Sequence, residues 1–241
     1  MIGNTVGLYR KDAFAAAYEE CKRRLTRMKR LTLAVLNLFY SVCLGSVLAV
    51  PRSAGIGFVR WTGEVFFGRL IAPRYNRLID FYGHLYGLAL GAGLDELQRT
   101  LTQPIRTIVD CGTGTGFVSQ VLAARFPNAR IISVDAVVAM LNQAHCRFEA
   151  LGVTPRLICA DASHLPLRSA CADLVVAQNT TPFLEEFARV CVPGGAVLFI
   201  DSAATLITPV AVRAFRKTRM FDEIVGRTVV SGFYAVAKRR T

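Results

Sequence analysis

The sequence predicts an α/β fold: a doubly wound, seven-stranded sheet, mostly parallel, ending in a C-terminal antiparallel hairpin and preceded by an apolar helical extension. Three observations predict it. From Arg106 onward, short β-branched runs alternate with helical patterns, and strands that are apolar throughout belong in a parallel sheet covered on both faces. A glycine-rich turn, Asp110–Gly116, joins the first of these strands to the first helix. The last two runs are separated only by Ser231-Gly232, and strands joined by so short a turn are antiparallel.

Taken in order, residues 1–30 carry eight basic and three acidic side chains, a net +5 out of the chain's +12. Leu31–Val50 follows without a charge and is closed by Pro51; twenty residues suffice to cross a hydrocarbon core as a helix. Ser41, Gly45 and Ala49 make a small-xxx-small stripe that lets another helix approach closely. The competing reading of this stretch is a buried core helix. Residues 53–73 are interrupted by Arg60, Glu64 and Arg69 and suit an amphipathic interfacial helix, with Trp61 and Phe66 as anchors. Tyr75, Leu78, Ile79, Tyr82, Leu85, Tyr86, Ala89 and Leu90 share a helical face that the Gly91–Gly93 pair is expected to end. Strands are expected at 107–110, 130–135, 156–160, 173–177, 196–201, 224–230 and 233–238, with helices at 117–126, 137–150, 183–191 and 209–221. The chain thus divides into a basic and apolar helical segment, 1–72, which associates with a membrane or forms a lid, and a globular domain, 73–241.

Composition narrows the class. With 53% hydrophobic and 19% charged residues, intrinsic disorder is excluded. A basic run beside an apolar run fits an anionic membrane surface, and no aromatic-basic interleaving supports nucleic acid. The seven cysteines never occur as C-x-x-C, so neither a disulfide framework nor a metal site is expected. A secretory signal is disfavoured by the long basic lead and the length of the apolar run.

The chemistry concentrates at strand ends. Glycines 112, 114 and 116 let the backbone lie close against a ligand at a helix N-terminus. Asp135 ends the second strand nineteen residues past Gly116, a spacing at which an acid can accept hydrogen bonds from ribose hydroxyls. Asp161 ends the third, so Asp110, Asp135 and Asp161 are expected along one crevice. Any one of them alone would read as a loop or helix cap.

These residues, with Ala162, the 173–177 strand and Pro193-Gly194-Gly195, resemble the class I S-adenosylmethionine-dependent methyltransferases, a Rossmann-like family, and within it the ubiquinone/menaquinone-biosynthesis C-methyltransferase-like subgroup. The resemblance covers residues 73–238 and leaves 1–72 unmatched. It implies S-adenosylmethionine as cofactor, with Gly112 and Gly114 against its methionine part and Asp110 organising its amino group. It implies Asp135 on the ribose, Asp161 on the adenine amino group and the Ala162 backbone against the ring. Thr113, Gly116, Ala136 and Gln178 complete the expected cofactor-binding set. Gln178, Asn179 and Thr180 would line the transfer site. The chain between Asn179 and Pro193 is short, which trims one substrate-covering element. No general base is evident: Asn179 and His164 are the catalytic candidates, while His84 and His145 fall on helices.

The expected function is a membrane-associated methyltransferase acting on an apolar small molecule, such as a quinone precursor or lipid, with its catalytic domain facing the cytoplasm. Residues 1–72 would meet the membrane surface, and a homodimer is left open. The alternatives are a non-catalytic S-adenosylmethionine-binding assembly partner and an NAD-dependent enzyme.

Overall fold

The computed structural model describes residues 85–101, 103–202, 204–229 and 232–241. The 72/73 boundary, the Leu31–Val50 stretch, the 53–73 segment and His84 lie outside them. Among the described residues no helix is long and apolar enough to cross a membrane.

The elements run α1 (Leu85–Thr100), β1 (Thr107–Cys111), α2 (Phe117–Arg125), β2 (Arg130–Asp135), α3 (Val138–Leu151), β3 (Arg156–Cys159), β4 (Ala172–Gln178), α4 (Leu184–Val190), β5 (Cys191–Asp201), a 3₁₀ turn at Thr205–Ile207, α5 (Thr208–Thr218), β6 (Phe221–Thr228) and β7 (Phe233–Arg239). They form one seven-stranded sheet in the order β3-β2-β1-β4-β5-β7-β6. Strands β1 to β5 pair in parallel, and β7 pairs antiparallel with both β5 and β6. The expected doubly wound sheet with a terminal antiparallel hairpin is therefore present.

Two apolar layers explain why the strands are apolar on consecutive residues. Ile108, Leu174, Val176, Leu198 and Val236 pack with Leu90 and Leu94 of α1 and Val121 and Leu122 of α2. Their neighbours Val109, Val175, Val197 and Ala235 pack with Phe187 of α4 and Phe215 of α5. Each strand thus buries both faces, which removes the polar alternation of a half-solvated sheet. At the junction of β5 and β7, the rings of Phe199 and Phe233 meet edge to face at 5.5 Å, an arrangement worth about 0.5–1.5 kcal/mol beyond the area buried.

Most expected boundaries move by a residue or more, and three of the shifts have a physical reason in the structure. Helix α1 does not stop at the glycine pair but runs through Gly91 and Gly93 to Thr100. A Cβ at Gly93 would sit 2.7 Å from Leu198 Cδ1 and 3.2 Å from Tyr234 Cβ, so this glycine serves close helix–sheet packing rather than termination. Strand β5 starts at Cys191, ahead of Pro193-Gly194-Gly195. Cys191 pairs with Ala172 and Ala196 with Leu174, so the intervening residues leave the ladder. A Cβ at Gly195 would lie 2.7 Å from the Asp173 carbonyl oxygen, which is why glycine stands where the strand rejoins it. Strand β6 begins at Phe221 rather than 224, with a register shift between Asp222 and Val225 and Glu223 at φ +47°. Such a bulge breaks the period-2 pattern that the eye follows in a sequence.

Candidate functional site

The carboxyl ends of β1, β2 and β3 lie side by side at one edge of the sheet. Between β1 and α2 the chain alternates left-handed glycines with threonines: Gly112, Gly114 and Gly116 sit at φ +73°, +55° and +84°. An L side chain in that region costs about 1–2 kcal/mol. The turn is pinned from below, because the amides of Gly112 and Thr113 both donate to the Val134 carbonyl, at 2.8 and 3.0 Å. Two of the glycines also answer to neighbours. A Cβ on Gly116 would fall 2.7 Å from the Phe148 ring of α3, and one on Gly112 would fall 2.7 Å from Thr180 Cβ. Beyond the backbone angle, helix packing thus also requires glycine at 116, and the loop after β4 requires it at 112.

Asp110 departs from the expected row of carboxylates. It pairs in register with Ser133, two residues before Asp135, and is wholly buried. Its side chain shares the α2 face of the sheet. Oδ2 accepts from Thr113 Oγ1 at 2.7 Å and from Ser119 Oγ at 2.6 Å. Ser119 and Ser133 are themselves 2.6 Å apart. Oδ1 is buried with no hydrogen-bond partner. Burial pushes this carboxyl up to about 6, the hydroxyls opposing and the charge of Asp135 adding. Asp110 thus lies beneath the glycine turn, tied to it through Thr113, and not on the rim.

Asp135 does stand at the rim. Its two oxygens are each held by a backbone amide: Gly114 donates to Oδ2 at 2.8 Å and Val137 to Oδ1 at 2.9 Å. Desolvation raises its pKa against those amides. A carboxylate oxygen accepts more than one donor, so both retain capacity outward. Ala136 beside it is exposed. Asp135 pairs with Cys159, and two residues further on Asp161 takes the Ser163 amide on Oδ1 at 2.8 Å. Asp161 and Ala162 are half-buried, with Ala162 packed on the α4 side of the core.

The loop that carries Asp161 and Ala162 is held by a device the sequence reading missed. On α4, Glu186 accepts the Leu165 amide at 2.6 Å, and Arg189 donates to the carbonyls of Leu167 and Leu165 at 2.8 and 3.0 Å. Arg189 also forks onto both Glu186 oxygens, at 2.8 and 2.7 Å, and this bond holds the Glu186 carboxyl below its usual range. In Arg189→Ala the two carbonyls lose this donor, and a Glu186 side chain only 15% exposed keeps just the Leu165 amide. A loss of about 2 kcal/mol is expected, read as a Tm drop of about 5 °C. Arg189→Lys should recover only part of it, since an ammonium cannot fork.

On the other flank, β4 and β5 end together. Gln178 Nε2 and Asn179 Nδ2 both reach Ser202 Oγ, at 2.7 and 3.3 Å, and the Ser202 amide donates to Asn179 Oδ1 at 2.7 Å. Asn179 adopts φ +54°, a left-handed position that Asn tolerates better than most residues and that often marks a working site. Asp201, buried, accepts the Ala204 amide at 2.8 Å. Asp201 and Ser202 were absent from the expected set, although the end of the fifth strand at the same edge was signal enough. His164 is exposed and hydrogen-bonds Ser163 Oγ through Nδ1 at 2.9 Å; the structure does not join it to Gln178, Asn179 or Ser202. His145 lies exposed on α3 beside Glu149.

Comparison with known proteins agrees with this geometry. A family described as a methyltransferase domain matches residues 108–195. The chain is 32% identical over 141 residues to the demethylmenaquinone methyltransferase of Thermus thermophilus, covering 54% of this chain and 62% of that protein. It is 42% identical over 101 residues to the malonyl-[acyl-carrier protein] O-methyltransferase of Geobacter sulfurreducens, covering 41% of this chain and 36% of that one. The chain thus spans less than two thirds of either relative. Its fold matches the crystal structure of an S-adenosylmethionine-dependent methyltransferase from Aquifex aeolicus with a TM-score of 0.51 at 18% identity, over 61% of this chain and 89% of that one. Strand order, glycine turn and sequence match all fall on the same stretch: residues 108–195 match a methyltransferase domain, set in a fold shared with an S-adenosylmethionine-dependent methyltransferase.

Proposed function

We propose that this chain transfers a methyl group from S-adenosylmethionine to an apolar small molecule, a quinone precursor or a lipid, at a membrane surface that residues 1–72 engage from the cytosolic side. The observation that carries the reading is Asp135, whose carboxylate is oriented by the Gly114 and Val137 amides at the mouth of the glycine turn. Support for the acceptor class comes from the activity for which the Thermus relative is named and from the uncharged Leu31–Val50 stretch. The malonyl-[acyl-carrier protein] relative supports only the coarser reading of methyl transfer.

The residues present fit the cofactor. An adenosyl sulfonium with an ammonium group is cationic, and the crevice offers Asp135 and Asp161 above a buried Asp110 whose Oδ1 has no partner. When bound, the cofactor supplies a methyl already activated by its sulfonium. Asp135 would hold the ribose hydroxyls, Asp161 the adenine amino group, and the Ala162 backbone the ring face. Gly112, Thr113 and Gly114 would line the methionine part, and Gly116 would set the start of α2. Gln178 and Asn179, locked on Ser202, would fix the acceptor side. With reacting atoms held in line, positioning can supply much of the acceleration.

The test is a thermal-shift titration with S-adenosylmethionine, followed by methyl-labelled cofactor with a membrane lipid extract. A cofactor shift with label appearing in the organic phase and S-adenosylhomocysteine released is the expected result. A shift without any S-adenosylhomocysteine would leave a non-catalytic binding fold. Stabilisation by NAD alone would reassign the crevice altogether.

A further inference from the structure

We infer that the outward face of α5 is a second lipid-docking surface that holds the crevice against an anionic bilayer. The spacing makes it a single stripe: Leu206, Pro209, Val210, Arg213, Arg216 and Lys217 stand at i, i+3, i+4, i+7, i+10 and i+11, and all six are exposed. It is about 16 Å long at a helical rise. Its first half is apolar. Leu206 is 66% and Val210 37% exposed, while the opposite face buries Thr208, Ala211 and Phe215. Its second half is basic. Among the described residues Arg213, Arg216 and Lys217 have no ion-pair partner. The acids of the neighbouring β6 are engaged elsewhere, Asp222 with Arg240 at 2.8 Å and Glu223 with Lys238 at 3.0 Å. The positive charge is therefore not cancelled locally.

A helix with a protruding apolar end and unpaired cations along the same face matches the chemistry of an interface rich in acidic headgroups. An acidic protein would answer the cations equally, but it leaves the two exposed aliphatic side chains unexplained. Position adds weight. Leu206 follows only four residues after Ser202, which binds Gln178 and Asn179, so the apolar end lies next to the acceptor side of the crevice. An apolar acceptor would then pass from bilayer to site without crossing water. The inference deepens the membrane reading above and rests on it for the kind of partner, but α5 and residues 1–72 are separable by experiment.

Hydrogen exchange of the full chain would be followed with vesicles of phosphatidylcholine, with and without phosphatidylglycerol. Exchange over residues 205–218 should slow only with the anionic vesicles. The triple variant Arg213→Glu, Arg216→Glu, Lys217→Glu should bind them more than about a hundredfold more weakly, since the loss of each cation near such a surface alone costs about a factor of five. Three glutamates near a helix C-terminus carry their own penalty, so the matching glutamine triple is measured beside it and should weaken binding in the same direction. Both variants should keep the parent's S-adenosylmethionine shift, which separates loss of docking from loss of the cofactor site. Vesicle capture without slowing over α5 would leave residues 1–72 as the anchor and overturn the inference. Absence of capture would overturn it together with the membrane reading. Slowing by soluble polyglutamate but not by vesicles would hand the stripe to an acidic protein and likewise overturn it.

Discussion

Asp135→Ala is expected to remove nearly all of the stabilisation that S-adenosylmethionine confers. On the proposed reading two ribose hydroxyls donate to this carboxylate, each worth about 1.5–3 kcal/mol, so affinity should fall by at least about a hundredfold. At a ligand concentration of about 100 Kd, the parent gains about 2.7 kcal/mol; the variant at the same concentration gains about 0.4 kcal/mol. Alanine also strips the acceptors from the Gly114 and Val137 amides, which lowers the stability of the free protein for a reason unrelated to the cofactor. Asp135→Asn separates the two effects. It keeps an oxygen for one amide, loses the charge, and should bind about tenfold more weakly than the parent. Calorimetric titration with S-adenosylhomocysteine reads both, and an alanine variant that binds like the parent would remove Asp135 from the site.

Much of this architecture could be read from the chain, for a physical reason. Strands buried on both faces have no polar alternation, and Arg130–Asp135 has the bounds expected for it because turn residues bracket a largely apolar run. Reading failed where one residue type serves two purposes. Gly91 and Gly93 looked like a helix stop, but Gly93 is small so that α1 can lie on Leu198 and Tyr234. Glu223 and its bulge shifted β6 because the two-residue period is interrupted by one unpaired position.

The placement of Asp135 and Asp161 at one sheet edge was legible from spacing, since strand ends in a parallel sheet share an edge. Asp110 was placed on the wrong level. The sign was present: Ser133 interrupts the apolar run of β2, Ser119 interrupts α2, and both lie within reach of a residue on the same face as Ile108. A polar residue in the middle of a buried strand usually has a buried partner, and here Ser119 meets both Asp110 and Ser133. The Glu186–Arg189 clamp was not legible, because its i,i+3 spacing reads as an ordinary helix pair and its loop partners lie more than twenty residues away.

The buried carboxyl of Asp110 gives the second large effect, and its sign distinguishes function from structure. Its pKa is pushed up to about 6 chiefly by burial, from 3.8. Between those values the folded chain keeps a proton that the unfolded chain releases. This group's contribution to stability therefore falls as pH rises through that window, by about 3 kcal/mol, and stays lower above it. Asp110→Asn has no proton to lose and still offers an oxygen to Thr113 and Ser119. The variant's unfolding free energy minus the parent's should accordingly rise by about 2–3 kcal/mol between pH 4 and pH 7.5 in paired urea titrations. A difference that stays constant over that range would show that the carboxylate is not held charged at a cost. Cofactor affinity should move the other way. A buried anion with an unpartnered oxygen attracts the cationic ammonium and sulfonium far more strongly than a neutral amide does, so the asparagine variant should bind S-adenosylmethionine about tenfold more weakly at pH 7.5. A residue kept only to pin the glycine turn would lose stability on substitution at every pH. The opposed pair, gained stability and lost affinity, is what a site that stores an uncompensated charge for its ligand should give.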